Sequence, residues 1–105
     1  TVVLLELERR GYDVGWVRVG DDLEVDFYAE SPGQGPLLIQ VSLDTASEAT
    51  WEREVRALEA ASEVYPEARP ILITLDPTPP PRTLAGRLEW CPASRWLLEA
   101  GGVAP

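Results

Sequence analysis

The sequence predicts one α/β domain built on a mixed sheet of four or five strands with flanking helices. Three observations carry that expectation. The apolar pattern runs as three successive strand-like stretches, at Tyr12–Val19, Leu23–Ala29 and Leu37–Ser42. It changes to a helical period over residues 46–64. A short apolar run at Ile71–Leu75 then follows, so a strand–helix–strand unit succeeds a hairpin. Such a crossover joins parallel strands, whereas a hairpin joins antiparallel ones.

Residues 1–10 read as the end of an amphipathic helix, with Val2, Val3, Leu4, Leu5 and Leu7 as its apolar positions. Gly11 suits the position just past a helix C-terminus. The sequence has no Met and opens inside this apolar stretch. The expectation is a C-terminal piece of a longer chain, whose upstream segment would cover Val2, Val3 and Leu5. Tyr12–Val19 follows as a strand with Val14, Trp16 and Arg18 on one face and Val17 and Val19 on the other. Gly20-Asp21-Asp22 is a turn signal for a hairpin. In Leu23–Ala29 the alternation places Leu23, Val25, Phe27 and Ala29 on one side and Glu24, Asp26 and Tyr28 on the other. Ser31–Pro36 reads as a loop by its Pro and Gly content.

Leu37–Ser42 is apolar enough at its start to be a central strand. Thr45 and Glu48 have capping-box spacing, and Trp51, Val55, Leu58 and Tyr65 keep to one helical stripe until Pro66. Asp76–Arg82, with four prolines, reads as a semi-rigid connection. A strand around Arg87–Trp90 and a helix over Ser94–Ala100, carrying Trp96, Leu97 and Leu98, complete the chain. Trp16, Trp51, Trp90 and Trp96 read as core, because large aromatics dominate small cores.

Composition narrows the chemistry. At 105 residues with a 45% hydrophobic share, the chain suits one domain with a modest core. Nine arginines and no Lys face eighteen acids, a net charge of −9 that counts against a nucleic-acid partner. The single Cys91 excludes an internal disulfide and reads as a reduced, partly buried thiol. The absence of His removes the commonest metal ligand and neutral-pH base. No apolar run approaches the roughly 20 residues needed to span a bilayer, so the expectation is a cytoplasmic protein with no membrane partner. No P-loop, G-x-S-x-G, C-x-x-C or H-E-x-x-H pattern occurs.

One constellation carries chemistry. Asp26 sits on the second strand, and Gln40 and Ser42 share a face of the third. If those strands are neighbours, Asp26 lies beside the polar pair. A strand acid next to an acid or amide, with a Lys two residues later, is a metal-nuclease arrangement. Its carboxylates hold a divalent ion, and its Lys positions water and offsets charge at the phosphate. Glu52 and Glu54 with Arg53 and Arg56 read as a solvated helix face, with Glu52 and Arg56 as an i,i+4 pair.

The stretches GYDVGWVRVG, LEVDFYAE, LLIQVSLD, WEREVRALEAA, ILITLD and the WLL tail, taken in order, resemble a known family. It is the uncharacterised C-terminal domain of bacterial and archaeal AAA+-type ATPases, similar in fold to the PD-(D/E)XK restriction-endonuclease-like superfamily. The resemblance spans about Leu7 to Leu98. It implies an upstream ATPase module that holds ATP and Mg²⁺. It places the motif Asp on Asp26, the Glu/Gln position on Gln40 and the Lys position on Ser42. The first-helix acid of such folds is expected either upstream of this sequence or at Glu6, and the resemblance makes Glu54 a candidate for a contact near the sheet.

Ser42 departs from the motif, since a hydroxyl carries no ammonium charge, and Gln40 is a poorer metal ligand than a carboxylate. The expected reading is a catalytically degenerate nuclease-fold module, without a cofactor of its own, serving protein contact or self-association. A second reading is a weak nuclease holding Mg²⁺ or Mn²⁺ at Asp26 and Gln40. A third is a nucleic-acid-binding module that does not cleave.

Overall fold

Gly11 closes the first helix in the left-handed region, at φ 88°. Its N–H reaches Glu8 O at 3.0 Å, and the Tyr12 N–H reaches Leu7 O at 3.0 Å. This pair of bonds is a Schellman cap, which satisfies carbonyls left open at a helix end and needs a residue tolerant of positive φ. The helix is α1 (Val2–Arg9). The computed structural model describes residues 2–19, 23–42, 48–75 and 86–97.

After α1 come β1 (Asp13–Val19), β2 (Leu23–Ser31), β3 (Gln34–Ser42), α2 (Glu48–Val64), β4 (Arg69–Thr74) and β5 (Glu89–Pro92). A short helix, α3, follows over residues 93–97. The five strands form one mixed sheet in the order β1-β2-β3-β4-β5. The first two junctions are antiparallel and the last two parallel, so β3 is the central strand. The α/β layout expected from the pattern is the one observed. Among the described residues no helix is long and apolar enough to cross a membrane.

Helices cover the sheet on both faces. On one side Trp51, Ala57, Leu58 and Ala61 of α2 pack with Val17, Val25, Leu38 and Leu72. On the other, Val3 and Leu7 of α1 and Trp96 of α3 pack with Ala29, Ile39, Ile71, Ile73 and Cys91. Cys91 is a free, buried thiol. The stripe read on the helix holds, with Val55 and Tyr65 partly buried against the same cluster as Trp51 and Leu58.

Several expectations need correction. Ser31–Pro36 is not an open loop. Ser31 pairs with Gln34 across a two-residue turn, Pro32-Gly33, in which Gly33 takes φ 80°. Pro before a positive-φ Gly is a strong turn pair, so both strands continue up to it. The simple alternation of β2 also fails. Gly15 pairs with Tyr28 but Val17 with Val25, so two steps along β1 match three along β2. That bulge sends Val25 into the α2 cluster while Phe27 and Ala29 pack on the α1 side.

Trp16 is not core. It is 64% exposed on the edge strand β1, on the face opposite the buried Val17, and the guanidinium of Arg18 lies 5.7 Å from its ring centroid. Val3 is buried, leaving Val2 and Leu5 as the exposed apolar residues of α1, at 65% and 66%. The turn at residues 20–22, Thr45 of the capping box, the proline-rich 76–82 and Leu98–Ala100 lie outside the described residues.

Candidate functional site

β2 and β3 run as a regular antiparallel pair through Ala29↔Leu37, Tyr28↔Leu38 and Phe27↔Ile39. Beside Phe27, at the bulge, side chains take over the joining. Gln40 Oε1 accepts the Asp26 N–H at 2.8 Å, and Gln40 Nε2 donates to Glu24 O at 3.2 Å. Asp26 Oδ2 accepts the Val41 N–H at 2.9 Å. Gln40 therefore behaves as an inserted peptide group, offering one acceptor and one donor to β2. It is 4% exposed, and a buried amide is tolerated only when satisfied in this way.

The sequence expectation that Asp26 lies beside Gln40 is met. Asp26 itself stays exposed at the strand surface. Partial desolvation of its carboxylate pushes its pKa above the ordinary value, the Val41 N–H pulls it back, and the charge of Glu24 pushes it up. Glu24 in turn pairs with Arg18 across β1 and β2 at 3.3 Å.

Ser42 follows Gln40 on the α2-facing side of β3, at 1% exposure, and its Oγ has no hydrogen-bond partner among the described residues. Its Cα partner on β4 is Thr74, also buried. Thr74 Oγ1 accepts the indole N–H of Trp90 on β5 at 2.9 Å. A polar row thus crosses four strands, from Asp26 through Gln40 and Ser42 to Thr74 and Trp90. The last two were not read from the sequence. The available signal was one hydroxyl in the otherwise apolar run Ile71-Leu72-Ile73-Thr74.

Glu6, the first-helix acid, is not directed to this row. It holds Arg9 at 2.6 Å and Arg10 at 2.7 Å, and those hydrogen bonds, Arg9's first, lower its pKa to about 2. It belongs to α1, whose buried residues pack on the face opposite Gln40 and Ser42. Glu54 departs from the solvated face read for α2: it is half-buried, with one carboxylate oxygen out of solvent.

The donor set does not fit a divalent cation. One Asp26 oxygen is bound to the Val41 N–H, and the only oxygen of the Gln40 side chain is bound to the Asp26 N–H. Among the described residues no three His, Cys, Asp or Glu side chains gather in a way that could hold a metal ion. In place of a Lys, the chain puts a sealed hydroxyl at Ser42. The arrangement joins strands, and Asp26, Gln40 and Ser42 offer no cationic group to a phosphate.

Comparison of the chain with protein-family models, with curated proteins and with solved structures gave no match.

Proposed function

We propose that this domain is a catalytically silent module of restriction-endonuclease-like fold, the C-terminal part of a cytoplasmic AAA+-type ATPase, and that it serves protein contact. The observation carrying this reading is the use of Gln40. Both polar atoms of its amide are bound to the backbone of β2, at 2.8 and 3.2 Å, where a nuclease would turn an acid toward metal. The burial of Ser42 supports the same reading, because no cationic side chain can stand there beside a phosphate.

Contact with protein is supported by the exposed apolar side chains of Val2, Leu5 and Trp16. Val14, two residues before Trp16 on β1, packs on the α1 side of the sheet. Trp16 therefore belongs to the face that α1 covers. The net charge of −9 weighs against a nucleic-acid partner.

The test has two arms. Single- and double-stranded DNA and RNA are incubated with the chain in Mg²⁺ and in Mn²⁺. No cleavage is expected, and cleavage that disappears in Asp26→Ala would promote the nuclease reading instead. Sedimentation equilibrium then compares the chain with a Leu5→Glu, Trp16→Ser variant. Mass that rises with concentration only in the parent places a self-contact on this face, whereas a parent that stays monomeric throughout rules out self-association.

A further inference from the structure

We propose that a pocket at the opposite end and face of the sheet binds a small ligand carrying a carboxylate on a flat apolar body. The pocket has a volume of about 450 Å³, within the range of small-molecule sites. It opens where the starts of β3, β4 and β5 meet the C-terminal end of α1 and the helix α3. Its Leu37, Ile71, Cys91 and Trp96 belong to the α1-side cluster, whereas Gln40 and Ser42 face α2. It contains none of Asp26, Gln40 and Ser42, and shares with the polar row only Trp90, so the inference stands apart from the function proposed above.

Charge is the first argument. Acids outnumber arginines 18 to 9 in the chain, yet Arg10, Arg69 and Arg95 line this pocket against only Glu67 and Glu89. Among the lining residues the balance is inverted, with Arg10 also bonded to Glu6 and Arg69 to Glu89.

Preorganisation is the second. The Arg10 guanidinium lies 4.1 Å from the Trp96 ring centroid, and its Nε donates to Glu6 at 2.7 Å. Arg69 is held by Glu89 through two bonds, at 2.6 and 2.7 Å. Arg95 lies 5.7 Å from the Trp90 ring centroid and donates to Trp90 O at 3.3 Å. A guanidinium carries five N–H donors in one plane. Arg10 spends Nε on Glu6 and Nη2 on Trp96 O, the latter at 3.4 Å, so a carboxylate would meet the donors that remain beside those bonds. Because these side chains are already held, binding sacrifices little of their rotamer freedom. The apolar walls from Pro36, Leu37 and Ile71 suit a flat hydrocarbon body behind the charge.

A free aromatic acid and the carboxyl terminus of a peptide ending in an aromatic residue present the same chemistry. The probes are therefore phenylacetate and N-acetyl-Gly-Gly-Phe with a free carboxylate, each beside its neutral amide. The readouts are the indole N–H resonances of Trp90 and Trp96, and the alkylation rate of Cys91, the chain's sole thiol, which lines the pocket. At least one charged probe is expected to shift both indoles and slow alkylation, with its amide about tenfold weaker or worse. Arg95→Gln, or the paired Arg69→Gln, Glu89→Gln variant, is expected to weaken the charged probe about tenfold while leaving thermal unfolding near the parent's. The tighter of the two charged probes identifies the source. Equal binding of acid and amide, no effect at millimolar probe, indifference to both variants, or equal shifts at the distant Arg18 would each overturn the proposal.

Discussion

Gln40 and Asp26 fasten each other's strands: Gln40 Oε1 accepts the Asp26 N–H at 2.8 Å, and Asp26 Oδ2 accepts the N–H of the residue after Gln40 at 2.9 Å. The exchange sits at a bulge that displaces one residue of β2. Without it, two neighbouring strands would part at the edge of the core.

Gln40→Ala should cost about 1–3 kcal/mol, because it leaves the Asp26 N–H and Glu24 O without their partner. Gln40→Glu should cost more at neutral pH. A carboxylate cannot donate to Glu24 O, and it lies against the carbonyl and the Asp26 charge. Its folded pKa would be raised, so that penalty appears as pH rises through the ordinary glutamate value of about 4.3 and fades below it. Urea unfolding of both variants at neutral pH and near pH 4 checks the sign. Greater stability of Gln40→Glu at neutral pH would contradict the role given to the amide.

Ser42→Ala should be neutral or stabilising by up to about 1 kcal/mol, because it removes a buried hydroxyl without a partner. Ser42→Lys should prevent folding, since the position is 1% exposed and an ammonium buried there is costly by several kcal/mol. Restoring the nuclease motif at this position therefore cannot be a simple reversal. Thermal unfolding and far-UV circular dichroism of the two variants decide it.

Trp51 is 4% exposed and packs from α2 onto the sheet. Trp51→Ala should destabilise by about 3–5 kcal/mol, as truncation of a buried large aromatic does. An effect below about 1 kcal/mol in urea unfolding would mean that α2 is not anchored there.

Arg87 ties the start of the last strand segment to the end of α2. Its guanidinium donates to Ser62 O at 2.6 Å, Ala68 O at 2.9 Å and Tyr65 O at 3.4 Å. Carbonyls at a helix C-terminus carry partial negative charge and favour a cation. Arg87→Met should cost about 1.5–3 kcal/mol by loss of charged hydrogen bonds. Hydrogen exchange should rise first in residues 61–65, and uniform protection there would refute the cap.

The pKa of Glu6 is lowered to about 2 by its hydrogen bonds from Arg9 and Arg10, and that of Glu89 is lowered by Arg69. A lowered carboxyl pKa adds stability that is present above the ordinary value of 4.5 and is lost as pH falls toward about 2. The acid limb of a melting-temperature profile should therefore be shallower in Glu6→Gln than in the parent chain. Arg9, Arg69 and Glu89 are open to solvent, so added salt should flatten the parent's limb as well. An unchanged limb would show the pairs to be inert.

The sequence by itself determined the layout. Period two through the first three strands, the helical stripe around Trp51 and Leu58, and the apolar run at Ile71 are local signals, each readable within one segment. They suffice to place a mixed sheet between helices, and to bring Asp26 beside Gln40 once the second and third strands are taken as neighbours. What the tertiary structure decided depends on pairing between distant residues. The bulge in β2 arises from its register with β1, and one extra residue turns Val25 and Phe27 to opposite faces. Trp16 is exposed while its neighbour Val17 on the same edge strand is buried under α2, and which stretch of each face a helix covers is something no window of sequence contains. The satisfaction of Gln40 and the isolation of the Ser42 hydroxyl depend on which backbone groups lie within about 3 Å, the range over which a hydrogen bond forms. Whether a motif residue serves chemistry or structure is decided at that distance, by partners far along the chain.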